Sequence, residues 1–338
     1  MARKSTIGDI ARELGVSKAL VSFVLNGKSK EKRISDEMTA KVLEVARRLN
    51  YVPNYLAKSL REGKSDTLGL IVADISNPFF AKLARYVEIE ASRFNYKVIF
   101  SNSDERKGKF ASQLNILKNG QVDGFILTPP IGSEAQLLML KKQKIPFVVV
   151  DRVFKGVDCH TVIIDNYRAG YDATLRLIKN NRKNIAVLNV NNQLIIMQNR
   201  VKGFKAALEK SGLKVNPSLI KHLRFSHEKH SIMKAIQEII AAGADGLLFT
   251  TNKLGVLGIE CLRELGARIP EDISVFSFDD TLAYEVSYTP ISAIVQPLER
   301  MSKNAVRILM GIIAGKYAAD QYEHIELPVD FVYRASCI

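Results

Sequence analysis

Two kinds of apolar periodicity divide this chain of 338 residues. Near the N-terminus apolar positions recur every three or four residues, the spacing of helices that bury one face. Ile7, Ile10, Ala11 and Leu14 form a first stripe, with Thr6 and Asp9 placed as a capping box and Gly15 placed to end the helix in the left-handed region. Ser17 caps a second helix whose aliphatic arc is Leu20, Val21, Val24 and Leu25. A third is capped at Ser35, with Asp36 and Glu37 in its first turn and Met38, Val42, Val45, Ala46 and Leu49 as its stripe. Asn54 can cap a short segment running to Leu60, and residues 63–66 read as a linker.

From Thr67 the pattern changes to short apolar runs alternating with amphipathic stretches. Strands are predicted at 68–73, 98–100, 124–127, 147–150, 162–164, 185–188, 246–249, 275–278 and 294–295. Strands that alternate with helices argue for parallel sheets covered on both faces. About 270 residues is long for one sheet, so two lobes are expected. The phrases Val122-Asp-Gly-Phe-Ile-Leu-Thr128 and Ala244-Asp-Gly-Leu-Leu-Phe-Thr250 support this, each closing a helix and opening a strand.

The second helix carries chemistry on its other arc. On a helical wheel Lys18, Ala19, Ser22 and Phe23 lie opposite the aliphatic arc: a cation, two small residues and an aromatic, with nothing long to keep a groove away. Phe23 is unfavourable in water there unless covered. Contact with a thymine methyl is one use for it, and packing under the loop at 27–33 is another. That loop holds four cations, Lys28, Lys30, Lys32 and Arg33. The formal net charge is +14, and residues 1–65, with fourteen Lys/Arg against seven Asp/Glu, hold half of that surplus. Clustered cations of this kind give DNA affinity through counterion release.

Several classes are excluded. No run of about 18 apolar residues spans a membrane and no apolar signal segment opens the chain, so a cytoplasmic protein without membrane partners is expected. Cys159, Cys261 and Cys337 are far apart, which argues for a reducing compartment and against a disulfide frame. His222, His227 and His230 cluster without Cys or carboxylates at ligand spacing, so no metal site is expected. No dinucleotide or Walker loop, nucleophile elbow or zinc-protease motif occurs, and no cofactor or enzymatic activity is expected.

Polar residues gather after strand ends, where open α/β sheets bind ligands. Asp74 and Asn77 follow the first strand, Asn102 and Asp104 the second, Asp165 the fifth, and Asn252 and Asp279 later ones. Arg200 is expected to begin a helix over 199–210. Phe79, Phe80 and Phe225 could stack on the apolar face of a ligand.

The run Thr6-x-x-Asp-Ile-Ala…Gly-Val-Ser…Val-Ser…Val-Leu-Asn, then Leu49-Asn-Tyr-x-Pro-Asn…Ala57…Leu60, resembles the start of a LacI/GalR-family transcription regulator. The likeness continues through Asn77-Pro-Phe-Phe, Val162-Ile-Ile-Asp-Asn, Arg200-x-x-Gly-Phe, Phe278-Asp-Asp and Val295-Gln-Pro, essentially the whole chain. It implies a helix-turn-helix head at 1–50, a hinge helix and linker at 51–65, and a two-lobed effector and dimerisation domain of periplasmic-binding-protein type at 66–338. Its doubly wound lobes would comprise about 66–165 with 296–325, and 166–295 with 326–338.

The resemblance implies a homodimer on a palindromic operator in double-stranded DNA. Lys18, Ala19 and Phe23 would then read bases, while Thr6, Ser17, Ser22, Asn26, Tyr51 and Asn54 contact the backbone. Residues 54–60 would fold as a hinge helix in the minor groove, with Leu60 as wedge, Ala57 allowing close approach and Lys58 beside them. Asn77, Phe79, Asp165, Arg200, Asn252 and Asp279 match effector-contacting positions, to which the strand-end reading adds Asp104 and Phe225. The function expected is a repressor of carbohydrate-metabolism genes answering to a small sugar or sugar derivative. The rival readings are a purine-responsive regulator and a solute receptor with no genetic role. This chain departs from the family in its longer 27–33 loop, its aliphatic 192–197 segment and its Phe23.

Overall fold

The computed structural model describes residues 5–52, 63–190, 193–223, 229–318 and 320–337. The chain divides into two compact units, Met1–Ser65 and Asp66–Ile338. The expected hinge helix lies outside the described residues.

The first unit is a three-helix head of α1 (Ile7–Leu14), α2 (Lys18–Leu25) and α3 (Asp36–Arg48). Its ends are set by side chains. Thr6 and Asp9 satisfy each other's backbone N–H in a complete capping box, Gly15 closes α1 at φ 63°, and Ser17 and Ser35 cap α2 and α3. The stripes meet in one cluster of Ile10, Ala11, Val21, Val24, Val42, Val45 and Ala46. Full burial of a Val or Ile stabilises by about 1.5–3 kcal/mol, so this small core depends on nearly every one of its members.

The second unit holds two six-stranded sheets. The first is ordered β11-β5-β4-β3-β1-β2, from β1 (Thr67–Val72), β2 (Lys97–Asn102), β3 (Gly124–Leu127), β4 (Phe147–Val150), β5 (Thr161–Ile164) and β11 (His324–Leu327). The second runs β12-β10-β9-β8-β6-β7, from β6 (Ile185–Val190), β7 (Ile220–Leu223), β8 (Gly246–Phe249), β9 (Ser274–Phe278), β10 (Ser292–Val295) and β12 (Asp330–Val332). All pairings are parallel except β10 with β12. The chain passes between sheets after β5, after β10 and after β11. β11 extends to Leu327, two residues beyond the lobe boundary expected at 325.

The helices flank the sheets: α4 (Pro78–Ser92), α5 (Lys107–Asn119), α6 (Glu134–Lys142), α7 (Asn166–Lys179), α8 (Ile195–Lys210), α9 (Lys229–Ala241), α10 (Asn252–Glu264), α11 (Leu282–Glu285) and α12 (Leu298–Ile313). α8 begins four residues before the expected start, so Arg200 sits inside the helix and not at its entry. No helix among the described residues is long and apolar enough to cross a membrane.

α7 and α8 cross at Gly170 and Gly203. A Cβ on Gly203 would stand 2.0 Å from the Tyr167 carbonyl oxygen, and one on Gly170 would stand 2.3 Å from that of Arg200. Neither backbone atom can yield cheaply, so these glycines set the approach that delivers Arg200. Gly203→Ala is expected to destabilise this unit by about 1–3 kcal/mol, read as a lower urea midpoint by circular dichroism. Unchanged stability would mean that the helices do not approach this closely.

Candidate operator-reading head and effector cleft

In the head, α2 presents Lys18 and Ala19 to solvent, with Ser22 and Phe23 half-buried beside them. Gly8 makes room for Lys18, because a Cβ there would meet Lys18 Cε at 3.2 Å. The Ser17 hydroxyl accepts from the Leu20 N–H at 3.1 Å, and Asn26 Nδ2 donates to the Ser22 carbonyl at 2.7 Å. Tyr51 packs against the head's apolar cluster. Lys32 of the 27–33 loop stands over the ring of Phe23, its Nζ 5.4 Å from the centroid. Asn54, Ala57, Lys58 and Leu60 lie outside the described residues, as do Phe225 and His227.

In the second unit the strand-end rule leads to one buried polar group. Arg200 is only 1% exposed. Its Nε donates to Asn166 Oδ1 at 2.8 Å, its Nη1 donates to the Thr250 carbonyl at 2.6 Å, and its guanidinium lies 3.9 Å from the Phe278 ring centroid. Burial pushes its pKa down, and the carboxylates of Asp279 and Asp151 work against that shift. Asp279 follows β9 at φ 64° and accepts from Gln296 Nε2 at 2.6 Å. Burial raises its pKa, opposed by Arg200, Gln296 and the Asn252 N–H.

Asn77 and Asn252 face each other from the two lobes. Asn252 Nδ2 donates to Asn77 Oδ1 at 2.7 Å, and Asn77 Nδ2 donates back to Asn252 Oδ1 at 3.2 Å. Asn77 also caps α4, accepting from the Phe79 N–H at 3.0 Å. Phe79 and Asp279 line a cavity of about 360 Å³ with Tyr86, Gln296, Leu298 and Arg300, within the size range of small-ligand sites.

Two expected residues are placed otherwise. Asp104 is exposed and bound to Lys109 at 2.6 Å and Arg106 at 3.1 Å; the Lys109 hydrogen bond leads in holding its pKa low. Asp165 caps α7 by accepting from the Arg168 N–H at 2.7 Å. Its neighbour Asn166 is the residue that reaches Arg200. The strand-end reading also passed over β4, which is followed by Asp151 and Arg152, both buried. Arg152 Nη2 donates to Glu105 Oε1 at 2.5 Å, and its Nε stands 3.3 Å from Asp151. Burial opposes the Arg152 charge, but Glu105 and Asp151 together hold its pKa above the ordinary value. His222 is engaged by Asn189 at 3.2 Å, and no metal-holding group of His, Cys, Asp or Glu occurs among the described residues.

Burial pushes the Asp151 carboxyl from 3.8 up to about 6, against the pull of Arg152 and Arg200. As pH rises the unfolded chain sheds this proton first, so the native state loses stability between about pH 4 and pH 6. The loss is about 3 kcal/mol, from 1.36 kcal/mol per pKa unit. Asp151→Asn is expected to flatten that part of the profile in urea unfolding from about pH 4 to pH 7. A slope equal to wild type would place the titration on another group.

Comparison with known proteins agrees with both units. Residues 6–54 match the model of bacterial regulatory proteins of the lacI family. Residues 65–330 match that of periplasmic binding proteins and the sugar binding domain of the LacI family. The chain is 31% identical over 337 residues to the HTH-type transcriptional regulator DegA of Bacillus subtilis (strain 168), covering 98% of each. It is 34% identical over 307 residues to catabolite control protein A of Priestia megaterium, covering 90% of this chain and 91% of that one. Among solved structures, a transcriptional regulator CelR–cellobiose complex superposes with a TM-score of 0.72 at 26% identity, over 98% of this chain and all of that one. A basic helix-turn-helix head joined to a two-lobed α/β unit is thus matched along nearly its whole length, and the chain belongs to the LacI family of bacterial regulatory proteins, DNA-binding transcriptional regulators and not enzymes.

Proposed function

We propose that this regulator is a repressor of carbohydrate-metabolism genes whose hold on a palindromic operator is set by a small, sugar-like effector in the cleft. The observation that carries this reading is the polar group around Arg200 and Asp279. It joins strand ends of both lobes, and the Asn77–Asn252 pair bridges the two lobes directly. Charged hydrogen-bonding groups beside an aromatic wall suit a ligand with hydroxyls on its edges and an apolar ring face. The cellobiose bound by the structurally similar CelR supports a carbohydrate of this kind. An effector that prefers one lobe arrangement shifts its population, and operator affinity moves with it through the same equilibrium.

A homodimer fits an exposed apolar face on the second lobe. Leu282 and Val286 are each 71% exposed and Tyr288 fully so, beside a groove of about 660 Å³ that α10 lines with Val256 and Ile259. Tyr288→Asp is expected to halve the sedimentation mass from two protomers to one, and an unchanged mass would move the interface elsewhere.

The deciding experiment is operator selection from random duplex DNA, repeated with a panel of sugars and nucleobases. An enriched palindrome that one sugar releases is the expected result. Enrichment modulated only by a nucleobase would overturn the carbohydrate reading, and no enriched site would overturn operator recognition itself. With the active sugar in hand, Asp279→Ala should weaken its binding about 30-fold in calorimetry, as loss of one charge-assisted hydrogen bond to a hydroxyl does.

A further inference from the structure

We propose that Phe23 reads no base: it is the seat for Lys32, and the 27–33 loop forms a phosphate clamp beside the recognition helix. This rests on the operator-binding reading above and concerns how the head spends its contacts. Phe23 is half-buried, yet it belongs neither to the head's apolar cluster nor to the partly buried residues packed against it. Its cover is a cation. The Lys32 ammonium stands 5.4 Å from the ring centroid, a distance at which ring and cation attract. A thymine methyl approaching that face would have to displace the charge.

The loop that carries Lys32 is ordered by its own backbone. The Lys28 N–H donates to the Phe23 carbonyl at 2.9 Å, the Lys32 N–H to that of Lys28 at 2.9 Å, and the Ile34 N–H to that of Ser29 at 2.9 Å. Ile34 packs against the head's core and anchors the far end. Lys28, Lys30, Lys32 and Arg33 are all exposed. The loop's acid, Glu31, stands 3.2 Å from Lys32 across an exposed pair, which holds the lysine weakly. The partner that fits four exposed cations on a rigid turn next to a groove-facing helix is a run of DNA phosphates.

The test uses the full chain and its selected operator, with affinity measured across a salt series and against single-base operator variants. Lys32→Gln should reduce the log–log salt slope by about 1.8 for a dimer losing one phosphate per head, at about 0.9 per contact. Its ranking of operator variants should not change. Phe23→Leu keeps an apolar side chain for a thymine methyl but removes the π face. It should weaken binding about 2- to 5-fold on every operator alike, in line with an exposed cation–π contact. Circular dichroism confirms that each variant folds. A changed base preference in Phe23→Leu, or a slope unmoved in Lys32→Gln, would overturn the clamp. Wild type that binds no operator would overturn the operator reading beneath it.

Discussion

A guanidinium cannot shed its charge at any pH the protein meets, so burying one obliges the fold to surround it with acceptors and countercharge. Arg200 imposes that obligation on strand ends from both sheets and on the start of α7. Its partners are Asn166 at the start of α7, the Thr250 carbonyl after β8, the Phe278 ring at the end of β9, and the carboxylates of Asp279 after β9 and Asp151 after β4. Each sits at the C-terminal end of a strand, so satisfying one side chain requires both sheets to turn those ends toward a common centre. The close crossing at Gly170 and Gly203 serves the same end, because α8 carries Arg200 and α7 carries Asn166. Asp151 comes from the first lobe and Asp279 from the second, which makes the electrostatic balance at Arg200 depend on how far apart the lobes stand.

The backbone pays locally for this convergence. Asp104, Glu105, Asp151 and Asp279 all have positive φ, between 51° and 64°, a region that side-chain-bearing residues adopt rarely. Three of the four carry carboxylates turned toward a buried arginine: Glu105 and Asp151 to Arg152, Asp279 to Arg200. Such strain persists where surrounding contacts over-determine it, and here the surrounding contacts are the buried cations. On the proposed reading, a ligand that supplied hydroxyls to these groups would change which lobe arrangement satisfies them best.

Much of this architecture is legible in the amino-acid sequence, and the gaps have physical causes. The head's helices follow from capping residues and apolar spacing because those signals are local: Thr6, Gly15, Ser17 and Ser35 act within a few residues of themselves. Central strands are legible because they are buried on both faces and read as unbroken apolar runs. The edge strands β7 (Ile-Lys-His-Leu) and β11 (His-Ile-Glu-Leu) mix charge with aliphatics, since one side faces water, and so carry no such run. Sequence singles out Arg200, Asn77, Asn252 and Asp279 by their places near strand ends, whereas the Asn77–Asn252 pairing spans 175 positions and leaves no local trace. Asp165 and Asn166 are neighbours with different partners. Both follow a strand, and only the turn of α7 decides that the first caps the helix while the second meets the arginine.

The head and the cleft distribute charge by opposite rules, and the difference bears on how a regulator can be both tight and selective. In the cleft every buried cation has carboxylates beside it, so the charge is spent internally and serves geometry. On the head the loop cations stay in water, where their attraction to phosphate adds affinity that is blind to sequence. With Phe23 occupied by Lys32, the exposed arc of α2 leaves Lys18 and Ala19 as its outward-facing residues, a narrow vocabulary for one half-site. Sequence selectivity must then come from geometry more than from contact number: two heads in fixed register on a palindrome square the preference of each. On the proposed reading such a regulator gains affinity from phosphates on any DNA and gains selectivity from two heads acting together on one operator.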